Sequence, residues 1–273
     1  MSDNKVVRVE IEDQIAKIVL CNPKKLNSMG VTFQADLIAA ATEVDENEEV
    51  RVAVLMAEGK SFCAGLDLMA LAMVEPAMMS VPSPAADKGK ILKVIRDFQD
   101  AMTILEKCKK PIIAAVNGHC IGGGLDLIAA CDVRIASKDA IFSLRETRVA
   151  IMADIGSLQR LPRIIGEGHT RQLAYTAEDI TAERACKINL VNDVYEDKDE
   201  LIEKAMEMAR LIAKNAPLCV QTSKEVLNWG RGRTVEDSLE YVAVRNQVLL
   251  PTEDLMEAIQ AFMGKREPNY KGR

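Results

Sequence analysis

The sequence predicts a protein of the α/β class, with strand–loop–helix units forming a core that is followed by a wholly helical region. Two observations lead to this class. Apolar runs of strand length alternate with helical spacing over the first two thirds of the chain, and beyond about residue 195 only helical spacing remains. In addition, 48% of the 273 residues are hydrophobic, which is enough for a large core. We therefore expect an α/β core at residues 1–199 and a helical region at residues 200–273.

The first elements have the pattern of a β-hairpin. Residues 7–11 alternate between apolar and charged side chains, and the apolar run Ile15–Leu20 follows after a polar turn. Residues 31–46 have the spacing of an amphipathic helix, and residues 50–57 form a continuous apolar run typical of a buried strand. Residues 74–90 are rich in Pro, Ser and Ala without a clear period, so we expect a mobile loop there.

The remaining elements follow the same two periodicities. Residues 91–105 return to helical spacing with one apolar face. Further strands are expected at 111–117, 133–136 and 141–144, with a helix opening at residue 125. The expected helices of the C-terminal region are 201–216, 217–229, 234–250 and 252–265. Thr252, followed by two acidic residues, is expected to cap the last of these.

Composition excludes several classes of partner. The net charge of −6 and the pI near 5.2 disfavour nucleic acid and anionic membrane surfaces. Seven cysteines without a C-x-x-C pair indicate free thiols in a reducing compartment, and two histidines make a His-rich metal site unexpected. The sequence has no secretory signal and no apolar run of membrane-spanning length, so the expected location is cytoplasmic.

Two glycine-containing turns each follow a predicted buried strand, at residues 61–68 and 122–126. Either turn alone is explained by glycine supplying a positive φ angle. If both presented a backbone N–H to one carbonyl oxygen, however, they would form an oxyanion hole. The run Gly122–Gly124 lacks the spacing of a G-x-G-x-x-G nucleotide fingerprint.

Three acidic residues are candidates for proton transfer beside these turns. Asp126 lies near a predicted helix start, where an acid is also favoured simply as a cap. Glu146 lies between Arg145 and Arg148, where a surface ion pair is the alternative. Asp154 follows an apolar run, where an isolated carboxylate is costly unless it is hydrogen-bonded or functional, although it is also placed to cap the next helix.

Seven motifs in consistent order together resemble the enoyl-CoA hydratase/isomerase (crotonase) superfamily. They are residues 22–27 (NPKKLN), 64–68 (AGLDL), 117–118 (NG), 121–126 (IGGGLD), 130–134 (ACDVR), 156–162 (GSLQRLP) and 262–266 (FMGKR). The resemblance runs from about residue 5 to the C-terminus. It implies a crotonase-like spiral of ββα units followed by a C-terminal helical trimerisation region that covers the active site, with the protein assembling as a trimer or hexamer.

The same resemblance implies an acyl-CoA thioester substrate and neither a metal nor a redox cofactor, since CoA is part of the substrate. The amides of Leu66 and Gly123 would hold the thioester oxygen. The further residues that the resemblance places in contact with substrate or CoA are Ala64, Gly65, Asp67, Leu68, Gly122, Phe262 and Lys265.

Within the superfamily, the three acids resemble those of the Δ3,5-Δ2,4-dienoyl-CoA isomerases of fatty acid β-oxidation. These enzymes move a proton from C2 to C6, positions too far apart for one short side chain to serve both. The resemblance places Glu146 at C2, and we expect Asp154 at C6, with Asp126 tuning the pair or positioning water. Two alternatives remain open. One is an enoyl-CoA hydratase in which Asp126 and Glu146 activate water, and the other is a non-catalytic RNA-binding or scaffold member of the superfamily.

Overall fold

The computed structural model describes residues 5–74 and 85–273, and a six-stranded sheet forms the centre of this part of the chain. In order across the sheet, its strands are β1 (Val7–Glu12), β2 (Ile15–Leu20), β3 (Val52–Ala57), β4 (Ile112–Val116), β6 (Val133–Ser137) and β9 (Asp193–Tyr195). The hairpin of β1 and β2 is antiparallel, and every other neighbouring pair is parallel. The carboxyl ends of β3 and β4 therefore lie at the same edge. The first glycine turn follows β3 there, and the second follows the short strand His119–Ile121, which comes directly after β4.

A smaller sheet leads away from this edge. Its strands are β5 (His119–Ile121), β7 (Ile141–Ser143) and β8 (Ile180–Thr181), of which β5 and β7 are parallel. The chain turns from β4 into β5 at Gly118, whose φ is +58° and where a side chain would collide with the carbonyl group of Lys60. Glycine is needed at this turn because both the backbone conformation and the space exclude a Cβ atom.

The described residues contain ten helices. They are α1 (Phe33–Glu46), α2 (Leu68–Val74), α3 (Ala85–Lys107), α4 (Gly123–Ala129), α5 (Ser157–Thr176), α6 (Ala182–Lys187), α7 (Lys198–Ala213), α8 (Pro217–Trp229), α9 (Val235–Leu249) and α10 (Glu253–Gly264). None of these described helices combines the length and the apolar character that crossing a membrane requires.

Strand β3, in the middle of the large sheet, is apolar on both faces because each face packs against helices. Ala53 and Leu55 of β3 pack with α1, α3 and α4, whereas Val52 and Val54 pack against α7. Burying side chains of this size stabilises the fold by about 1.5–3 kcal/mol each. This two-sided burial explains why the sequence of β3 is a continuous apolar run rather than an alternating one.

Most predicted elements are found within a few residues of their expected bounds, and the hairpin is confirmed. Helix α4, predicted to open at residue 125, already begins at Gly123, so two of the three consecutive glycines belong to its first turn. Helix α7 begins at Lys198 and packs on the central sheet. The division into parts at residues 199 and 200 remains a prediction. Thr252 caps α10 as expected, its hydroxyl accepting the N–H of Leu255 at 3.3 Å.

The predicted mobile loop at residues 74–90 lies largely outside the described residues, which exclude 75–84. Of the described part, Val74 ends α2 and residues 85–90 form the first turns of α3, so the loop prediction is wrong there. The alanine and lysine residues in this stretch are good helix formers, and the single glycine at position 89 is tolerated inside the helix.

Candidate active site

The two glycine turns lie side by side and are joined by backbone hydrogen bonds. Cys63 and Cys120 form a parallel bridge between them. The N–H of Cys63 donates to the carbonyl oxygen of His119 at 2.9 Å, and the N–H of Ile121 donates to the carbonyl oxygen of Cys63 at 2.9 Å. The turn after β3 and the turn after β5 are therefore held in fixed register.

Both turns present an N–H group that is available to a ligand. Among the described residues, the N–H groups of Leu66 and Gly123 have no protein acceptor. A Cβ atom at Gly65, whose φ is +90°, would lie 2.9 Å from the carbonyl oxygen of Ile121 and 3.6 Å from the nitrogen of Gly123. The N–H of Met29 fixes this turn by donating to the oxygen of Gly65 at 2.8 Å. Two unpartnered donors are thus brought together by close backbone contact.

Glu146 is placed against the second turn. It begins a 3₁₀ turn, Glu146–Val149, and a Cβ atom at Gly122 would lie 3.0 Å from its Oε1 atom. Its other carboxylate oxygen, Oε2, is buried and has no hydrogen-bond partner among the described residues. The neighbouring Arg145 does not pair with Glu146, because its guanidinium contacts Asp179 at 2.6 Å. The surface ion pair considered above is therefore not formed.

Asp126 is fully buried and caps a helix other than its own. Its Oδ1 atom accepts both the backbone N–H and the hydroxyl of Ser157, the hydroxyl at 2.6 Å. Helix α5 begins at Ser157 after Gly156, which has no side chain to cap it. The carboxylate from α4 therefore performs the capping that the local sequence lacks. The second oxygen, Oδ2, is buried and has no partner in the described part of the chain.

Burial raises the pKa of Asp126 to about 7. The hydroxyl of Ser157 opposes this shift by donating to the charged form, and the negative charge of Glu146 adds to it. The positive charge of Arg160 again favours the ionised carboxylate. Desolvation is the largest of these effects, so Asp126 holds a proton near neutral pH far more readily than an exposed aspartate.

Relative to the wild type, Asp126→Asn is expected to be more stable at pH 8 than at pH 5. The folded chain binds the Asp126 proton more tightly than the unfolded chain, where the pKa is near 3.8. Its contribution to stability is therefore full below that value and is lost as the pH rises through about 7. Asparagine does not titrate, so the variant lacks this loss of stability with rising pH. Thermal unfolding of both proteins from pH 5 to 8 measures the effect, and an equal difference in Tm at all pH values would contradict it.

Asp154 lies near the second turn. A Cβ atom at Gly123 would lie 3.6 Å from Cδ1 of Ile155, the residue after Asp154. Asp154 does not cap α5, whose first turn receives no side-chain bond from its own N-cap. Its carboxylate is half-buried, which raises its pKa, and its charge in turn raises the pKa of Glu146, after burial as the main cause. Asp154 also borders a cavity of about 400 Å³ between α3 and α5.

The acids and amides predicted from the sequence lie near one another, and Asp67 directly follows the amide of Leu66, whereas Phe262 and Lys265 lie elsewhere. Asp67 accepts the N–H of Ala70 at 3.0 Å and pairs with Lys25 at 3.2 Å. Phe262 and Lys265 are exposed at the end of α10. No hydrogen bond or ion pair within residues 5–74 and 85–273 links these last two residues to the acids.

Ser157 and Arg160 are site residues that the sequence did not identify. Arg160 packs directly over Gly156, where any Cβ atom would collide with its guanidinium. It also pairs with Glu106 of α3 at 2.8 Å. Both residues belong to the 156–162 motif, so the sequence did contain a signal for them. The spacing of the motif did not indicate which side chains they would contact.

This arrangement suits chemistry beside a carbonyl group. Two unpartnered amides can stabilise an oxygen that gains negative charge, and such donors contribute about 2.7–4 kcal/mol each to a reaction of this type. Nearby carboxylates whose pKa values are raised can remove and return protons. Among the described residues, no group of three or more His, Cys, Asp or Glu side chains is arranged to hold a metal ion.

Comparison with known proteins identifies close relatives over nearly the whole chain. A family model described as enoyl-CoA hydratase/isomerase matches residues 10–273. A mitochondrial Δ3,5-Δ2,4-dienoyl-CoA isomerase of Dictyostelium discoideum is 41% identical, covering 99% of this chain and 93% of the relative. A peroxisomal enzyme of the same name from Arabidopsis thaliana is 37% identical, covering 97% and 95% respectively.

A solved structure shows the same fold. The crystal structure of an enoyl-CoA hydratase from Bacillus anthracis matches with a TM-score of 0.89 at 33% identity, covering 98% of this chain and all of the other. The crotonase-like α/β fold predicted above is confirmed. The predicted cytoplasmic location is wrong by this comparison, because the relatives are named as mitochondrial and peroxisomal enzymes. The absence of a recognisable signal in the sequence was not sufficient grounds for that prediction.

Proposed function

Since this chain belongs to the enoyl-CoA hydratase/isomerase family, we propose that it is a Δ3,5-Δ2,4-dienoyl-CoA isomerase. The observation that carries the proposal is the position of Asp154. This third carboxylate belongs to the residue before Ile155, and Ile155 lies close to the turn that presents the amide of Gly123. The negative charge of Asp154 also raises the pKa of Glu146. A reaction that moves a proton between two distant carbons needs two such groups on one bound substrate.

The proposed reaction begins with the thioester oxygen bound by the amides of Leu66 and Gly123. Glu146 removes a proton from C2, and the electron pair of that C–H bond enters a dienolate whose charge extends to the thioester oxygen. As the double bonds move to C2–C3 and C4–C5, Asp154 gives a proton to C6. One proton leaves and one arrives, so the product is an isomer. The oxygen carries most charge in the intermediate, where the two amides stabilise it most strongly.

The two carboxylates must start in opposite protonation states for this sequence. Burial raises the pKa of both Glu146 and Asp154. Two neighbouring carboxylates do not ionise together without a cost, which favours a state in which one of them keeps its proton. In the proposed cycle Asp154 enters protonated and Glu146 ionised. After one turnover the two are exchanged, and a further proton exchange restores them.

The remaining site residues are proposed to hold the CoA ester, with no cofactor beyond it. Residues 64–68 and Gly122 surround the amides and would line the position of the thioester. Phe262 and Lys265 are exposed on α10, at a distance from the acids along the fold. We assign them to the CoA nucleotide, which they would contact from a neighbouring subunit of an assembly.

The purified protein is expected to convert a 3,5-dienoyl-CoA to the 2,4-isomer. The conjugated product absorbs in the ultraviolet, so its absorbance rises while the mass of the ester stays unchanged. The competing activity is hydration, because Asp126 and Glu146 each keep a buried unpartnered oxygen that could bind water. A parallel assay with crotonyl-CoA measures it. Faster hydration than isomerisation, expressed as kcat/KM, would replace the proposed function by the alternative.

Self-association through the C-terminal helices is also proposed. Helices α9 and α10 expose large apolar side chains that a monomer would leave in water. They are Val235, Leu239, Val244, Val248, Met256, Ile259, Phe262 and Met263. This pattern favours the trimer or hexamer implied by the family resemblance.

Leu239→Glu is expected to reduce the assembly to smaller species. A charge within a contact between apolar helices is costly, because it loses hydration without gaining a partner. Light scattering after size-exclusion chromatography measures the mass of the species. Glu240→Gln, a change at the adjacent exposed position, is the matched control and should leave the mass unaltered. An unchanged mass for Leu239→Glu would argue against this surface as the interface.

A further inference from the structure

The two oxygens of Asp126 differ in their surroundings. Oδ1 accepts two hydrogen bonds from Ser157, one from the backbone N–H and one from the hydroxyl. Oδ2 is buried and lacks a hydrogen-bond partner in the described part of the chain. An ionised carboxylate buried with one oxygen unsolvated is costly, whereas a neutral carboxyl group is not. The burial therefore favours a protonated Asp126.

The same geometry decides which oxygen carries the proton. Oδ1 already faces two donors, and a third hydrogen on that oxygen would be repelled by both. The proton must reside on Oδ2, which then acts as a donor. At this site, Glu146 Oε2 is another buried carboxylate oxygen without a partner among the residues described. The negative charge of Glu146 acts on Asp126, so the two groups are near enough to interact.

We propose that Ser157 is a positioning residue that fixes the orientation of the Asp126 carboxyl group by holding Oδ1, so that the proton of the neutral form, which burial favours, lies on Oδ2 and is directed to Glu146 either directly or through one water molecule. The consequence for the reaction rests on the proposed function. A donor beside Glu146 stabilises its ionised form, and this is the form that removes the C2 proton. Asp126 then acts through Glu146 and need not touch the substrate.

Among the other charged and titratable groups around Asp126, Arg160 opposes the neutral state because its positive charge favours the ionised carboxylate, but this effect is smaller than that of burial. Arg160, on the next turn of α5 after Ser157, is engaged by Glu106 at 2.8 Å. The thiols of Cys63 and Cys120 are fully buried, and burial raises their pKa values, so both are neutral. Glu146, whose negative charge acts on Asp126 and whose Oε2 atom lacks a partner among the described residues, is the acceptor that we assign to the Oδ2 proton.

The first test reads the proton without substrate. Infrared difference spectra of the full-length protein between pH 5 and 9 should show the C=O band of a buried carboxylic acid, lost with a midpoint near the raised pKa of Asp126. Asp126→Asn should remove that band. Ser157→Ala should move the midpoint upward by about one pH unit, because a hydrogen bond to the ionised form is lost. Ser157→Thr keeps the hydroxyl and should restore the midpoint.

The second test uses two substitutions at position 126. In Asp126→Asn, the amide oxygen can accept from Ser157 and the NH₂ group replaces the proposed donor, so kcat/KM for the 3,5-dienoyl-CoA should fall less than about tenfold. Asp126→Ala removes the donor and should lose about 10²–10³-fold. If Asp126 acted as an ionised base, both variants would lose activity to a similar extent, and this outcome would overturn the proposal.

The tests separate this inference from the proposed function. Should the wild-type protein fail to isomerise the dienoyl ester, the proposed function fails, but the infrared titration still reports the protonation of Asp126. A C=O band that persists in Asp126→Asn with the same midpoint, or a midpoint unmoved in Ser157→Ala, would refute the inference even in an active isomerase. If Ser157→Ala does not fold, the comparison of Asn with Ala at position 126 decides the matter.

Discussion

Asp154→Asn is expected to abolish isomerisation, lowering kcat/KM by about 10³-fold or more. Asparagine has nearly the same size and can still form hydrogen bonds, but it cannot give a proton to C6. The amides and Glu146 remain in place, so the C2 proton can still be lost. Exchange of that proton with deuterated solvent, followed by mass spectrometry, should therefore continue in the variant while the absorbance of the conjugated product no longer rises.

A matched aspartate shows whether the loss is specific. Asp97 lies on α3, is exposed, and pairs with Lys93 one turn away at 2.6 Å. Asp97→Asn removes an equal charge from the same region and should leave kcat/KM within twofold of the wild type, since exposed pairs of this kind contribute about 0.3–0.5 kcal/mol. Full isomerase activity in Asp154→Asn would remove this residue from the proposed mechanism, whatever the control shows.

Gly65→Ala is expected to lower kcat/KM by about 10²–10³-fold. The new Cβ atom would lie 2.9 Å from the carbonyl oxygen of Ile121, closer than side chains tolerate, and that oxygen belongs to the backbone. The turn must move away from the neighbouring strand, and the amide of Leu66 moves with it. An oxyanion hole with one displaced donor binds the developing charge poorly. KM should change less than kcat, because the loss falls mainly on the transition state.

A substitution at Gly232 provides the control for the effect of backbone strain alone. This glycine also has a positive φ, +74°, but a Cβ atom there would have no atom within 4 Å. Gly232→Ala therefore imposes similar conformational strain without a collision, and is expected to reduce thermal stability slightly while leaving kcat unchanged. If both alanine variants lost activity equally, strain rather than the position of the amides would explain the effect of Gly65→Ala.

Hydrophobic periodicity was sufficient to predict most of the fold, because each long element buries a continuous face. β2 and α8 were predicted with the bounds that they have in the structure. The short strand β7 was predicted, but β5 and β8 were not. β5 and β8 are three and two residues long, and their strand character comes from pairing with β7 rather than from any local period.

The candidate site was predictable as a set of residues but not as a set of contacts. Glycine turns and isolated acids in apolar runs are visible in sequence, which identified Gly123 and Asp154. That Asp126 caps α5 was not visible, because the two partners are 31 positions apart and belong to different helices. The separate surroundings of its two oxygens depend on that tertiary contact, so sequence spacing left its role undecided.

The pairing of Cys63 with the strand that precedes Gly122 has a consequence for motion. Backbone hydrogen bonds next to the free N–H groups hold the two turns together as one rigid unit. Neither turn therefore has to become ordered when the ester binds. In amide hydrogen exchange, Cys63 and Ile121 should therefore be strongly protected, while Leu66 and Gly123 exchange quickly until a thioester occupies them. Preorganisation of this kind lets the affinity for the enolate arise from backbone alone, largely independent of which side chains line the surrounding pocket.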